Sequence, residues 1–185
     1  AIIKSSAVKP EHRVVEALRL AARTDGLLPF VLNRLKIAQP RIEAAGHKIR
    51  FAVARGPLNI ASYLMGTTEF LTTMMMEPEK AELLIRKITD FLKAWLSLQR
   101  ETFPSIDGIF LLDDIIGFMG EDEFRTFGLP AFRELFDPSV SVRFLHNDAP
   151  CRVCAPILPE MNVNLFNMGF EVTLSELKQL TQNKV

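Results

Sequence analysis

The stretch from Ile106 to Gly120 reads Ile-Asp-Gly-Ile-Phe-Leu-Leu-Asp-Asp-Ile-Ile-Gly-Phe-Met-Gly and decides how the rest of the chain is interpreted. Ile109 to Leu112 is a continuous apolar run, which is typical of a strand buried on both faces of a sheet. The run ends at Asp113 and Asp114, two carboxylates that are costly to bury, so we expect them where the strand leaves the sheet. In α/β folds ligands bind at the carboxyl ends of parallel strands. The pair therefore predicts either a functional site or a turn cap beside a solvated carboxylate.

Strand and helix patterns alternate along the chain, which predicts βαβ units and a parallel sheet. Further strands are predicted at residues 49–54, 141–145 and 162–166. Helical spacing is predicted for residues 11–23, 27–45, 58–65, 67–76, 77–103, 121–127, 130–136 and, in part, 152–159. Pro40 is expected to break or kink the second of these helices. Residues 173–181 form a last amphipathic helix, with Thr173 and Glu176 as a capping box. The pattern indicates an α/β fold with about four parallel strands and intervening helices.

Composition narrows the class of protein. With 185 residues, 48% of them hydrophobic and 24% charged, the chain fits one globular domain over residues 1–185. Lys+Arg and Asp+Glu both number 22, so nothing favours a nucleic-acid or anionic-membrane partner. There is no long apolar run, no signal-peptide pattern and no glycine-rich nucleotide fingerprint, and the two cysteines suit a reducing compartment. We therefore expect a cytoplasmic protein.

Several polar residues lie at predicted strand ends, and successive parallel strands would bring Arg55, Asp114 and His146 to the same rim of the sheet. His146 and Asp148, two positions apart, present their side chains on the same strand face. Arg55 follows another strand, where it would bind a substrate carboxylate or form an ion pair with Asp113 or Asp114; both interpretations stay open. Gly56, next to it, allows close backbone approach.

Three stretches together resemble the uroporphyrinogen decarboxylase superfamily. Gly56 to Gly66, Gly-Pro-Leu-Asn-Ile-Ala-Ser-Tyr-Leu-Met-Gly, is similar to the family's Gly-x-Pro-x-Thr-Leu-x-x-Tyr-Met segment. The second comprises Glu-Pro-Glu at 77–79, Asp-Gly-Ile-Phe at 107–110 and Gly-Phe-Met-Gly at 117–120. The third is Phe124 to Leu135, where Gly-Leu-Pro at 128–130 resembles the family's Phe-x-x-Phe-x-x-Pro segment. The resemblance runs from about Leu27 to the C-terminus.

The superfamily is built on a (β/α)8 barrel of roughly twice this length. The resemblance therefore implies that the chain is an internal piece of such a protein and forms a partial barrel. A partial barrel has sheet edges that must be paired or covered. A homodimer is one expected assembly.

The superfamily has two main branches. One removes the acetate carboxyls of uroporphyrinogen without a cofactor, and the other uses zinc to move a methyl group between a corrinoid protein and a thiol such as coenzyme M. Tyr63 matches the pocket tyrosine of the decarboxylases, whereas Asp114 replaces their substrate-binding serine and would repel an acidic porphyrinogen side chain. His146 matches the histidine of the methyltransferases' His-x-Cys zinc motif, in which Asp148 replaces the cysteine.

These matches imply a methyltransferase that depends on zinc or, because aspartate is a harder ligand than cysteine, on another divalent metal. A corrinoid, carried by a partner protein, is the expected methyl carrier, and the substrate is a small molecule or a tetrapyrrole. The implied roles are catalytic for Tyr63 and Asp114, substrate-binding for Arg55 and Asp113, and metal-ligating for His146 and Asp148. A nearby pair, Cys151 and Cys154, is a second candidate for metal, away from the family's ligand position. The alternatives are uroporphyrinogen decarboxylation and non-catalytic binding of a corrinoid or tetrapyrrole.

Overall fold

A computed structural model describes residues 21–185, so the helix predicted for residues 11–23 lies almost entirely outside the described residues. Four parallel strands form one sheet in sequence order. They are β1 (Phe51–Arg55), β2 (Gly108–Leu112), β3 (Val142–Asn147) and β4 (Leu165–Met168). The predicted α/β arrangement of four parallel strands is confirmed.

Helices connect the strands and cover one side of the sheet. They are α1 (Leu28–Ala44), α2 (Pro57–Met65), α3 (Thr67–Met76), α4 (Pro78–Thr102), α5 (Glu121–Glu123), α6 (Leu129–Leu135) and α7 (Leu174–Leu180). Ile115–Phe118 and Ala155–Met161 are 3-10 turns, and Phe124–Gly128 is a π-helical turn.

Three local predictions need correction. Of the break or kink expected at Pro40, the break is wrong: α1 continues through this residue to Ala44, and on this largely exposed helix the carbonyl left unpaired can bind water. The π-helical turn joins α5 to α6, where two separate helices were expected. The capping box forms only in part: Thr173 Oγ1 accepts from the Glu176 amide at 3.2 Å, but the Glu176 carboxylate pairs with Arg152.

The two faces of the sheet differ in burial. Since side chains alternate along a strand, Ala52, Leu111 and Leu145 share one face, which α4 and its neighbours bury completely. On the opposite face Val53 is 40% and Leu165 45% exposed. That face corresponds to the interior of a closed barrel, which is normally packed with side chains.

An aromatic cluster occupies the open face. The rings of Phe110 and Phe144 stack with centroids 4.4 Å apart, and Phe51 packs edge-on against both. Phe110 also contacts His146 edge to face, with ring centroids 6.4 Å apart. The cluster therefore forms an apolar floor that ends at the polar residues of the strand termini.

The outer edge of β1 is covered by side chains. The Gly56 amide donates to Leu112 O, so the backbone groups of the even-numbered residues of β1 point towards β2. The backbone N–H and C=O of Val53 therefore point away from the sheet, at its outer edge. The buried amide of Gln99 binds both backbone groups of Val53, at 2.9 and 3.0 Å, and Trp95 Nε1 donates to Val53 O at 3.0 Å. One glutamine thus takes the place of a neighbouring strand, as expected for the edge of a partial barrel.

Candidate functional site

Polar residues from three strands meet at the carboxyl edge of the sheet. Arg55 pairs in register with Leu112, and Leu112 with His146. Asp113 and Asp114 directly follow Leu112. The prediction that Arg55, Asp114 and His146 lie at the same rim is confirmed by this register.

Asp113 turns inward from that rim. Its side chain is completely buried, so the expectation that both carboxylates stay out of the interior is wrong for this residue. Asp113 Oδ2 accepts from the amides of Leu58 and Asn59 at 2.9 and 3.1 Å, and Oδ1 accepts from the Ile115 amide at 3.1 Å. The first turn of α2 has amides without helical partners, which makes burial of a carboxylate tolerable there. Asp113 thereby attaches α2 to the end of β2.

Burial changes the acidity of Asp113. Desolvation raises its pKa to about 7, while the three amide hydrogen bonds oppose the rise and the nearby Asp114 charge adds to it. Since the buried carboxyl group already binds the protein's own backbone, the structure gives it an anchoring role; substrate binding by Asp113 stays a prediction.

Gly56 makes the anchoring possible. A Cβ at this position would lie 2.5 Å from Asp113 Cβ, well inside van der Waals contact. Only glycine lets the start of α2 come this close to β2, as expected from the sequence.

Asp114 points to the rim and connects β2 with β3. Its Oδ1 accepts from the Asp148 amide at 2.9 Å. Asp148 Oδ2 in turn lies 3.2 Å from His146 Nε2, and the other ring nitrogen, Nδ1, contacts Asn167 Oδ1. The Asp148 side chain is 69% exposed and that of His146 23%, so ligands can reach the pair from solvent.

The donor set fits part of a metal site. Two ligands bound to one tetrahedral zinc at about 2.1 Å stand roughly 3.4 Å apart, close to the observed 3.2 Å between His146 Nε2 and Asp148 Oδ2. A catalytic zinc needs three protein ligands. Within residues 21–185, no group of three or more His, Cys, Asp or Glu side chains could hold a metal. The pair therefore fits a divalent ion as two of its ligands.

Two asparagines of the site were missed by the sequence analysis. Buried Asn59 binds Leu112 O through Nδ2 and the Asp114 amide through Oδ1, both at 3.3 Å, which fixes the turn after β2. Asn167 lies opposite His146 in the register of β3 and β4. An asparagine in a strand is a weak signal until the register is known, and the strand was predicted to end at Phe166.

The other predicted site residues stand at the surface. Tyr63 is 66% exposed on α2. Arg55 is exposed at the end of β1, and among the described residues it forms no ion pair with Asp113 or Asp114. The structural ion pair considered for Arg55 is therefore absent, which leaves its guanidinium available at the rim.

Cys151 and Cys154 belong to the core. Both thiols are free and fully buried below the rim. Burial raises the pKa of both, that of Cys154 to about 12. Metal binding requires thiolates, so neutral buried thiols disfavour the C-x-x-C pair as a metal site.

Comparison with known proteins identifies the family to which this chain belongs. Residues 3–184 match the family model described as uroporphyrinogen decarboxylase (URO-D). The chain belongs to the URO-D family. Among curated proteins, none matches it significantly.

A solved structure, a methyltransferase from Methanosarcina mazei, shares the fold of this URO-D family chain. The TM-score is 0.77 at 18% sequence identity, over 90% of this chain and 49% of the methyltransferase. The chain thus spans about half the length of that structure, which confirms a partial barrel. None of the helices in residues 21–185 combines the length and hydrophobicity that a membrane span requires.

Proposed function

We propose that this URO-D family chain forms part of the active site of a methyltransferase, in which His146 and Asp148 are two ligands of a divalent metal ion. The supporting observation is the pair itself: Nε2 and Oδ2 lie 3.2 Å apart at the carboxyl edge of the sheet. The edge is also where enzymes of the barrel fold assemble their active sites. The remaining ligand would come from a part of the fold outside the described residues.

The chain's own residues hold this pair in place. Asp114 binds the Asp148 amide, and Asn59 fixes the backbone of Asp114. Asp113 attaches α2 to the same strand end, so the Asn59 that α2 carries stays in register with β2. These contacts arrange the ligand side chains before any ligand binds, which lowers the entropic cost of binding.

The proposed substrates follow from this chemistry. A divalent metal lowers the pKa of a coordinated thiol, so that a thiolate forms near neutral pH. The proposed methyl carrier is a corrinoid delivered by a partner protein, and the apolar floor of Phe51, Phe110 and Phe144 would face it. Asp114 would lie beside the reacting thiol, and Tyr63 is proposed to reach the substrate from α2.

Metal binding tests the proposal directly. The full-length protein is loaded with Zn²⁺ and dialysed, and its zinc content per chain is measured. His146→Ala is expected to lose the bound zinc, whereas the matched variant His47→Ala, in an exposed loop position, keeps it. Equal zinc stoichiometry in His146→Ala and the unmodified protein would exclude the ligand role.

Uroporphyrinogen decarboxylation is the second candidate. Arg55, which forms no ion pair within residues 21–185, favours it. A guanidinium at the rim suits the acetate carboxylates of a porphyrinogen, which need a cation to bind. Asp114 and Asp148 argue against decarboxylation, because their negative charges at the same edge would repel the substrate carboxylates. Turnover of uroporphyrinogen by the full-length protein would establish decarboxylation. Binding of a tetrapyrrole or corrinoid without any turnover would instead establish a non-catalytic binding protein.

A further inference from the structure

The contact between His146 and Asn167 bears on how the proposed metal ligand is oriented. Asn167 lies directly opposite His146 in the parallel pairing of β3 and β4, so both side chains project from the open face of the sheet. His146 Nδ1 meets Asn167 Oδ1, a carbonyl oxygen that can only accept a hydrogen bond. A neutral ring that donates from Nδ1 has a bare lone pair on Nε2.

That bare nitrogen faces a second acceptor. Nε2 lies 3.2 Å from Asp148 Oδ2, and no hydrogen stands between them when the proton is on Nδ1. Two lone pairs facing each other at this distance repel unless a proton or a metal ion lies between them. A divalent ion removes the conflict, because imidazole nitrogen and carboxylate oxygen are both common metal ligands.

We propose that Asn167 holds His146 in the Nδ1–H form and thereby directs the Nε2 lone pair towards a divalent cation shared with Asp148. This inference rests on the proposed metal function and adds a positioning residue to it. Metal-bound histidines generally donate their second ring nitrogen to an oxygen that fixes the ring and raises its basicity. Asn167 has that role here because β4 places it one strand away from the ligand.

The protonation form of His146 is the first test, and it needs no bound metal. Two-dimensional ¹⁵N NMR of the metal-free chain at pH 8, where an ordinary histidine is neutral, identifies the protonated ring nitrogen. We expect Nδ1–H in the unmodified chain and in Asn167→Asp, which keeps the acceptor oxygen. Asn167→Ala is expected to shift the ring towards Nε2–H. Observation of Nε2–H in the unmodified chain, alone or together with Nδ1–H, would overturn the inference, because Nε2 would then donate to Asp148 and have no free lone pair.

Metal affinity is the second test, made with Zn²⁺ by competition with a chromophoric chelator on the full-length protein. Asn167→Ala is expected to weaken zinc binding about 10- to 100-fold, and Asn167→Asp to restore it. Leu165→Ala, two residues earlier on the same exposed face, is the matched control and should leave the affinity unchanged. An unchanged affinity in Asn167→Ala would overturn the positioning role.

The two tests separate the inference from the function on which it rests. If the unmodified chain shows Nδ1–H but binds no zinc, Asn167 still sets the ring form, and only the metal proposal fails. If zinc binds but Asn167→Ala changes neither the ring form nor the affinity, the metal proposal stands and the role of Asn167 is excluded.

Discussion

Asp113 and Asp114 are identical neighbours at the end of β2, and the fold gives them opposite environments. Asp113 is fully buried and binds three backbone amides, whereas Asp114 stands at the rim and holds the Asp148 amide. Consecutive side chains at a strand end point to opposite sides, so one residue meets the N-terminus of α2 and the other meets the next strand. A pair of acids therefore carries two separate tasks, one in folding and one at the candidate site.

The largest expected difference concerns stability. Asp113→Ala leaves the amides of Leu58, Asn59 and Ile115 without their buried acceptor, which we expect to lower the free energy of unfolding by about 3–5 kcal/mol. Urea denaturation followed by circular dichroism measures this, with the chain at pH 6. A loss below about 1 kcal/mol would mean that Asp113 does not attach α2 to β2.

Gly56 gives the next largest effect, because the added methyl group displaces Asp113. Gly56→Ala is expected to cost about 2–3 kcal/mol through overpacking in a buried site. Gly120→Ala is a closely matched control: both glycines precede a helix with an extended backbone, and the new methyl at 120 would meet only the exposed Glu123 side chain. Equal unfolding free energies for the two variants would contradict the close approach at Gly56.

The stability of the fold should depend on pH through the buried carboxyl group of Asp113. Burial raises the pKa of Asp113 from 3.8 to about 7, so the folded chain holds a proton that the unfolded chain has lost. Stability from this group is complete below pH 3.8 and is lost as the pH rises through 7, with a slope of at most about 1.4 kcal/mol per pH unit. Urea midpoints between pH 4 and 8 should show the fall, and Asp113→Asn should remove it.

The contribution of Asp137 to stability depends on pH in the opposite direction and in a more acidic range. Hydrogen bonds from the Ser139 amide and hydroxyl, and from Arg100, lower its pKa to about 2. Its contribution to stability is therefore lost only as the pH falls from about 4 towards 2. A stability that rises between pH 4 and 7 would show that the burial of Asp113 does not dominate.

Asp114 should give the smallest change in stability. Asp114→Ala removes one hydrogen bond at the partly exposed rim, which we expect to cost less than about 1 kcal/mol. The same variant releases the Asp148 amide, so zinc affinity should fall several-fold while the unfolding curve barely moves. A large loss of stability in Asp114→Ala would mean that Asp114, like Asp113, is needed to hold the fold together.

Much of the fold follows from patterns that the sequence states locally. The apolar run before Asp113 and the helical spacing of residues 58–65 and 77–103 each predicted an element that the structure contains. Parallel pairing then brings the strand ends to one edge, so the rim residues were predictable as a group. The family resemblance supplied their possible roles.

The unpredicted features all depend on contacts between distant parts of the chain. Burial of Asp113 needs the first turn of α2, 55 positions earlier, to supply its amides. Covering of the β1 edge depends on Gln99, 46 positions after Val53. The meeting of His146 with Asn167 depends on the β3–β4 register. Each residue type is common at surfaces, so sequence spacing alone carried no signal for these roles.

The two buried thiols give the chain a built-in reporter of its own opening. Cys151 and Cys154 lie three and six residues after Asp148 in the chain and have no exposed surface. A thiol reagent can modify them only when the segment below the rim separates from the core, so the modification rate measures that opening. Zinc bound at His146 and Asp148 should slow the labelling, so the reactivity of two core thiols would report whether the neighbouring site is occupied.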